Sequence, residues 1–155
     1  MSDNYLRLIP KDPAWQPTAQ AAQRTVEALA PLVPGADSVE AEFLDQVTFI
    51  DQGANLERVL CPSCRAELDP DWWSAEMARG GGAELGDQTF TDLAVTTPCC
   101  SAATSLNDLV YEWPAGFASF EVAVLNPQRG WLEPDELSRL GDLLGHPLRQ
   151  VMAHY

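Results

Sequence analysis

The chain has 155 residues, 46% apolar and 21% charged, with 23 acids against nine Lys and Arg and a net charge of −14; that is the balance of one folded domain with its own core, not of a disordered or disulfide-stapled chain. Acids spread from Asp3 to Asp142 repel phosphate backbones and anionic lipid, which argues against nucleic-acid and membrane binding and leaves a basic protein as the partner such a surface attracts. No apolar run approaches the roughly 20 residues of a membrane span, and MSDNYLRLIPKDP has no apolar secretory core, so the expected location is the cytoplasm, where thiols stay reduced.

Tyr5 to Ile9, YLRLI, is a short strand with Leu6 and Leu8 on one face. Pro17 suits the first turn of a helix that runs to about Ala30, with Ala19, Ala22, Val26 and Leu29 at helical spacing. Pro31 and Pro34-Gly35 stop it. From Ser38 the period becomes two: Val39, Ala41, Phe43, Val47 and Phe49 alternate with acids, a long half-buried strand bent near Asp45. Asp51-Gln52-Gly53 is a turn, and Leu56 to Leu60 a strand leading to Cys61. Asp69 as N-cap, Pro70 and Asp71 start a helix carrying Trp72, Trp73 and Met77. Gly80 to Asp87, opening with three glycines, is expected to be a mobile loop. Phe90 to Thr97 returns as a strand to Cys99-Cys100, and Ser105 caps a short helical turn through Leu109. Phe117 to Leu125 is a strand, Asn126 to Gly130 a loop, Pro134 to Leu144 a helix with Leu137, Leu140 and Leu144 aligned, and Leu148 to His154 the last strand.

With the middle set aside, the order is strand, helix, strand, twice. That is the ferredoxin-like split βαβ order, giving an α+β fold of four antiparallel strands with both helices on one face. The stretch from about Asp51 to Trp113 is then an insertion between the second and third strands of a single domain. The uncovered face of such a sheet would suit a homodimer.

All four cysteines fall into two tight pairs, Cys61/Cys64 in LCPSC and Cys99/Cys100 in TTPCCSAA. Zinc takes four tetrahedral ligands, and two thiolate pairs from distant segments close such a site. The pattern resembles the zinc-ribbon class of metal modules, whose first knuckle commonly has the CPxC form; the resemblance covers only about Val59 to Cys100. The layout is also similar to an uncharacterised family of small bacterial proteins that pair LCPxC with a later TTPCC. What the resemblance implies is a structural zinc site at Cys61, Cys64, Cys99 and Cys100. The second pair departs from the ribbon pattern, which has two residues between its cysteines. Adjacent side chains on an extended chain point apart, so both sulfurs reach one ion only if the backbone kinks there. Otherwise one of them drops out, and Asp69, His146 or His154 supplies the fourth ligand.

A redox reading competes. CPSC differs at one position from the CPYC of glutaredoxins, and Thr97-Pro98 is similar to that family's facing Thr-Val-Pro loop. In that fold the motif opens a helix that depresses the first thiol's pKa, whereas here Pro70 interrupts the stretch and the neighbours are acidic. Glu67, Asp69 and Asp71 are explained as helix N-terminal residues without acid–base work. Trp72 and Trp73 point about 100° apart on a helix. One is expected in the core and the other is a candidate exposed anchor for a protein, while Trp113 and Trp131 are expected to seal the insertion against the sheet. No nucleophile elbow, phosphate loop or HExxH motif is present. The expectation is a non-enzymatic binding module for a basic protein, of inhibitor or immunity type.

Overall fold

A computed structural model describes residues 3–81 and 89–155. Its main sheet uses five strands: β1 (Asn4–Pro10), β2 (Ser38–Ile50), β4 (Thr89–Phe90), β8 (Gly116–Leu125) and β9 (Leu148–His154), in the order β4-β2-β8-β1-β9. Every neighbouring pair is antiparallel. Two helices from the long apolar stripes, α1 (Ala19–Leu29) and α3 (Pro134–Leu144), pack on one face of it.

Local chemistry sets the helix ends. The Thr18 hydroxyl accepts from the Ala21 N–H at 3.1 Å, so α1 starts after the proline at 17, where a side chain takes an orphan donor. In α3, Glu133 and Glu136 form a reciprocal capping box, Pro134 holds the first turn, and Gly145 closes it at φ 103°. The core between helices and sheet contains Leu6, Leu8, Leu29, Phe120, Val122, Val124, Leu140 and Leu144. Burying each such side chain contributes about 1.5–3 kcal/mol.

The bend expected near Asp45 is a bulge: β2 pairs with β8 up to Phe43↔Phe120 and resumes only at Thr48↔Ala118. Gln16 fills the gap by donating to the carbonyls of Leu44 (3.0 Å) and Ser119 (2.8 Å). β8 is buried on both faces, although alternation suggested one. The face away from the helices is covered at one end by the chain between β2 and β8. There Arg149 donates to the carbonyls of Asn107 (3.0 Å) and Ala115 (2.9 Å). At its other end, Arg7 lies 3.6 Å from Glu121 and 4.4 Å above the Tyr5 ring, and donates to the Tyr155 hydroxyl.

The segment between β2 and β8 has its own core, with Val59, Cys61, Leu68, Phe90, Val95, Leu106, Tyr111 and Phe117 among its members. It contains β3 (Arg58–Leu60) paired with β7 (Val110–Glu112), a hairpin of β5 (Ala94–Thr96) and β6 (Ala103–Ser105), and α2 (Pro70–Gly81). Asp69 Oδ1 accepts from the Asp71 N–H at 2.8 Å, the capping contact read from the sequence. Three expectations change. The strand before Cys61 starts at Arg58, because Asn55 closes a turn onto the Gln52 carbonyl. The strand expected over Phe90 to Thr97 breaks in two, because Asp92 accepts from the Ala94 N–H and pairs with Arg79. Of the loop expected from Gly80 to Asp87, Gly80 and Gly81 form the end of α2, with Gly80 buried against the Asp92 carbonyl; 82–87 lie outside the described residues.

Candidate metal centre

β3 delivers the chain to Cys61, where it turns back. The Arg65 N–H donates to the Cys61 carbonyl (3.0 Å), the Cys61 N–H to the Ala66 carbonyl (2.9 Å), and the Leu68 N–H to the Val59 carbonyl (2.8 Å). Arg65 holds φ 65° to close the turn. The hairpin of β5 and β6 makes a second turn of the same kind. The Ser101 N–H donates to the Thr97 carbonyl (2.9 Å), the Thr97 N–H to the Ala102 carbonyl (3.0 Å), and Ser101 holds φ 58°. CPSCRA, Cys61 to Ala66, and TPCCSA, Thr97 to Ala102, are therefore one backbone device carrying two sequences. Thr97 stands where the first turn has Cys61, Cys99 where it has Ser63, and Cys100 where it has Cys64.

This equivalence resolves the geometry of the adjacent cysteines. They sit on a tight turn, not an extended strand, and their sulfurs lie 3.9 Å apart. Cys61 Sγ is 3.7 Å from Cys100 Sγ, and Cys64 Sγ is 3.3 Å from Cys99 Sγ. All four sulfurs fall within 4.8 Å of one another. A tetrahedral ion with metal–sulfur bonds of about 2.3 Å places its sulfurs about 3.8 Å apart. The spacing exceeds the roughly 2.05 Å of a disulfide, and the four are free thiols. The cluster can therefore hold a metal ion.

Its surroundings favour thiolate at one corner. Cys61 is buried, and its thiol is lowered to about 6, first by the Cys64 N–H and then by the Thr97 hydroxyl and Ser63 N–H, against the opposing effect of burial. Cys99 is pushed up to about 12, first by desolvation and then by the neighbouring thiols of Cys64 and Cys61. Four sulfurs this close cannot all ionise without a cation among them, so binding a metal releases protons.

Thr97 was not legible as a site residue. Its hydroxyl accepts from the Ala102 N–H at 3.2 Å and lies 3.6 Å from Cys61 Sγ and 3.5 Å from Cys100 Sγ. With its lone pair engaged by that N–H, the hydroxyl proton is free to point at a thiolate. Aligning the two six-residue stretches would have found it.

The alternative ligands lie elsewhere: among the described residues the cluster consists of the four cysteines. Asp69 caps α2. His146 stacks on Trp15 at 4.7 Å and accepts from the Asp12 N–H, and His154 contacts Asn4. Neither Trp72 nor Trp73 is an exposed anchor. Both pack against the core of the segment between β2 and β8, and the Trp73 indole N–H donates to the Tyr111 hydroxyl at 3.2 Å. Trp113 and Trp131 meet at 5.5 Å. Among the described residues, no helix is long and apolar enough to cross a membrane. Comparison with family models, curated proteins and solved structures finds no match for this chain.

Proposed function

We propose that Cys61, Cys64, Cys99 and Cys100 hold a structural zinc ion, and that the chain is a non-enzymatic cytoplasmic binding module for a basic protein, of inhibitor or immunity type. In this reading, residues from about Asp51 to Trp113 form a zinc-ribbon-like insertion in a ferredoxin-like frame. The strand order supports the frame: α1 carries the chain from β1 past β8 to β2, and α3 carries it from β8 past β1 to β9. Each half is a crossover that skips one strand, as in two interleaved βαβ units.

The observation that carries the metal is the convergence of four sulfurs within 4.8 Å from two equivalent turns. Zinc suits four thiolates in a tetrahedron, and a complete thiolate set leaves no open position for substrate or water. The role is therefore structural, contributing on the order of 10 kcal/mol or more to ordering the insertion. The chain's own residues do the rest: the N–H groups of Ser63 and Cys64 and the Thr97 hydroxyl stabilise negative charge on Cys61. Elemental analysis with thiol titration tests this. One zinc per chain and no fast-reacting thiol is the expected result; metal-free protein with a native fold overturns it. For the partner, the net charge of −14 is the support. Capture of a basic protein should weaken with salt and with reversal of the acidic face, and capture indifferent to both overturns it.

A thiol–disulfide role is the second reading. It is favoured by the lowered Cys61 thiol and by the 3.3 Å approach of Cys64 and Cys99. Against it, Cys61 opens a hairpin-like turn and α2 starts only at Pro70, so no helix dipole supports the thiolate. A single thiol reacting fast at neutral pH in metal-free protein would favour redox chemistry.

A further inference from the structure

β2 is paired unequally along its two sides. Its inner side pairs with β8 from Ser38 to Phe43, whereas its outer side pairs only at Val47 and Thr48, with β4. Among the described residues, no strand covers the outer side of the first eight residues of β2. An uncovered strand presents unpaired N–H and C=O groups on alternate residues, a template for another strand. This stretch spans about 26 Å at 3.3 Å per residue.

The side chains along that edge alternate in character. Val39 pairs with Val124 and packs on the helix-side core, and Phe43 on the same face lies against Phe120, ring centroids 4.9 Å apart and tilted by 59°, yet remains 44% exposed. Glu40 and Glu42 project to the opposite face and are both exposed. Glu42 pairs across the sheet with Glu121, so the acids of this face continue inward to β8. Pairing with a second copy along this edge would bring these acids against their own counterparts, which is destabilising. A strand with cations at alternate positions meets the opposite situation.

We propose that the outer edge of β2, Ser38 to Asp45, docks an extended basic segment of a partner protein. The segment adds as a further strand, with Lys or Arg at alternate positions facing Glu40 and Glu42 and an apolar residue against Phe43. This rests on the binding-module reading and narrows it to a strand-addition mode, in which backbone hydrogen bonds give affinity and alternate side chains give specificity.

The test uses the full chain at low salt and a capped eight-residue peptide of alternating Lys and Val. Expected is binding that slows amide exchange across Ser38 to Asp45 and weakens at least tenfold in the Glu40→Gln/Glu42→Gln double variant. A peptide of the same composition with its lysines contiguous, and one of two peptides N-methylated on the Lys or on the Val amides, should also lose at least tenfold. Equal binding by the contiguous-lysine peptide, or parental binding by both methylated peptides, reduces the interaction to bulk charge and overturns the inference. Absence of binding overturns it too, as does concentration-dependent protection of the same amides without peptide, which assigns the edge to a second copy. Protection elsewhere on the chain overturns the edge but leaves the binding-module reading standing. That reading fails separately, if capture of a basic protein is indifferent to salt and to charge reversal.

Discussion

Thr97→Val is the substitution that best isolates the second turn's contribution to the metal centre. The two side chains have nearly the same shape, so the change removes a hydroxyl and little else. The structure gives that hydroxyl two tasks: it accepts from the Ala102 N–H at 3.2 Å and lies within 3.6 Å of two sulfurs. Losing the acceptor leaves a half-buried N–H unpaired, a cost of about 1–3 kcal/mol. Losing the donor removes a charge-assisted bond to thiolate, about 1.5–3 kcal/mol. The two overlap, because the metal-bound turn can relax, and partners of metal ligands typically carry ten- to a hundredfold in affinity. We therefore expect zinc affinity, measured by competition with a chromophoric chelator at fixed pH, to fall about ten- to a hundredfold. Thr97→Ser keeps the oxygen and should stay within about threefold of the parent, under about 0.7 kcal/mol, where the bond lost in Thr97→Val is worth more. Thr97→Val binding within about twofold of the parent, with the fold intact, would refute the role given to the hydroxyl.

The equivalence of the turns makes a sharper demand: Thr97→Cys/Cys99→Ser rewrites the second turn as CPSC and should still bind one metal ion with a tetrathiolate cobalt spectrum, whereas loss of metal would break the equivalence. Gly53 holds φ 58° and packs against the His154 carbonyl oxygen, so Gly53→Ala should cost about 2–4 kcal/mol from left-handed strain and overpacking. Thermal unfolding should then fall by roughly 5–15 °C, and a fall under about 2 °C counts against this packing. Burial raises the Glu121 carboxyl above its ordinary value of 4.5, Arg7 opposing and Glu42 and Asp51 adding to the rise. The native state thus holds that proton more tightly than the unfolded chain, and the associated stability, full below the unfolded pKa, is lost as pH rises through the raised native one. Glu121→Gln should therefore gain on the parent in melting temperature between about pH 4 and pH 7, and a pH-independent difference would refute the assignment.

Period and punctuation made the helices and the long strands readable. Leu6 and Leu8, the run from Phe120 to Val124, and the leucines of α3 lie where their spacing puts them, because each element buries one face in a common core. The elements that misled are those whose conformation depends on distant partners. Phe90 to Thr97 has strand composition throughout, but Asp92 turns the chain by binding Ala94 and Arg79. The glycines at 80 and 81 read as a loop, yet the close approach of the Asp92 carbonyl at Gly80 needs a residue without a side chain inside the helix. Burial of the second face of β8 depends on Arg149 reaching Asn107 and Ala115, a contact between segments that no local pattern encodes. The four cysteines were legible from their pairing, but the convergence of Cys99 and Cys100 needed the left-handed Ser101, a position where no glycine advertises the turn.

The two cores imply that metal loss acts locally. Among the described residues, the cluster under the helices and the cluster of the segment between β2 and β8 share no buried residue. Cys61 is the one sulfur of the four that is buried, and it belongs to the insertion's cluster alongside Tyr111 and Phe117. The other three are exposed, so a chelator would reach an ion held there without opening either core. In metal-free protein the thiols would take up protons and the two turns would lose the ligand they share. The loss would act first on the core of the segment between β2 and β8 through Cys61. It would reach the helices through the main sheet, where β8 carries Phe117 for one core and Phe120 for the other, β2 places Phe49 against the first core, and Arg149 of β9 holds Asn107 and Ala115. Chelation should therefore speed amide exchange from Val59 to Tyr111 well before it does so at Leu6, Val122 or Leu140. Simultaneous loosening at all of these amides would mean that the two clusters unfold as one cooperative unit, and the segment between β2 and β8 would then belong to the same unit as the helices.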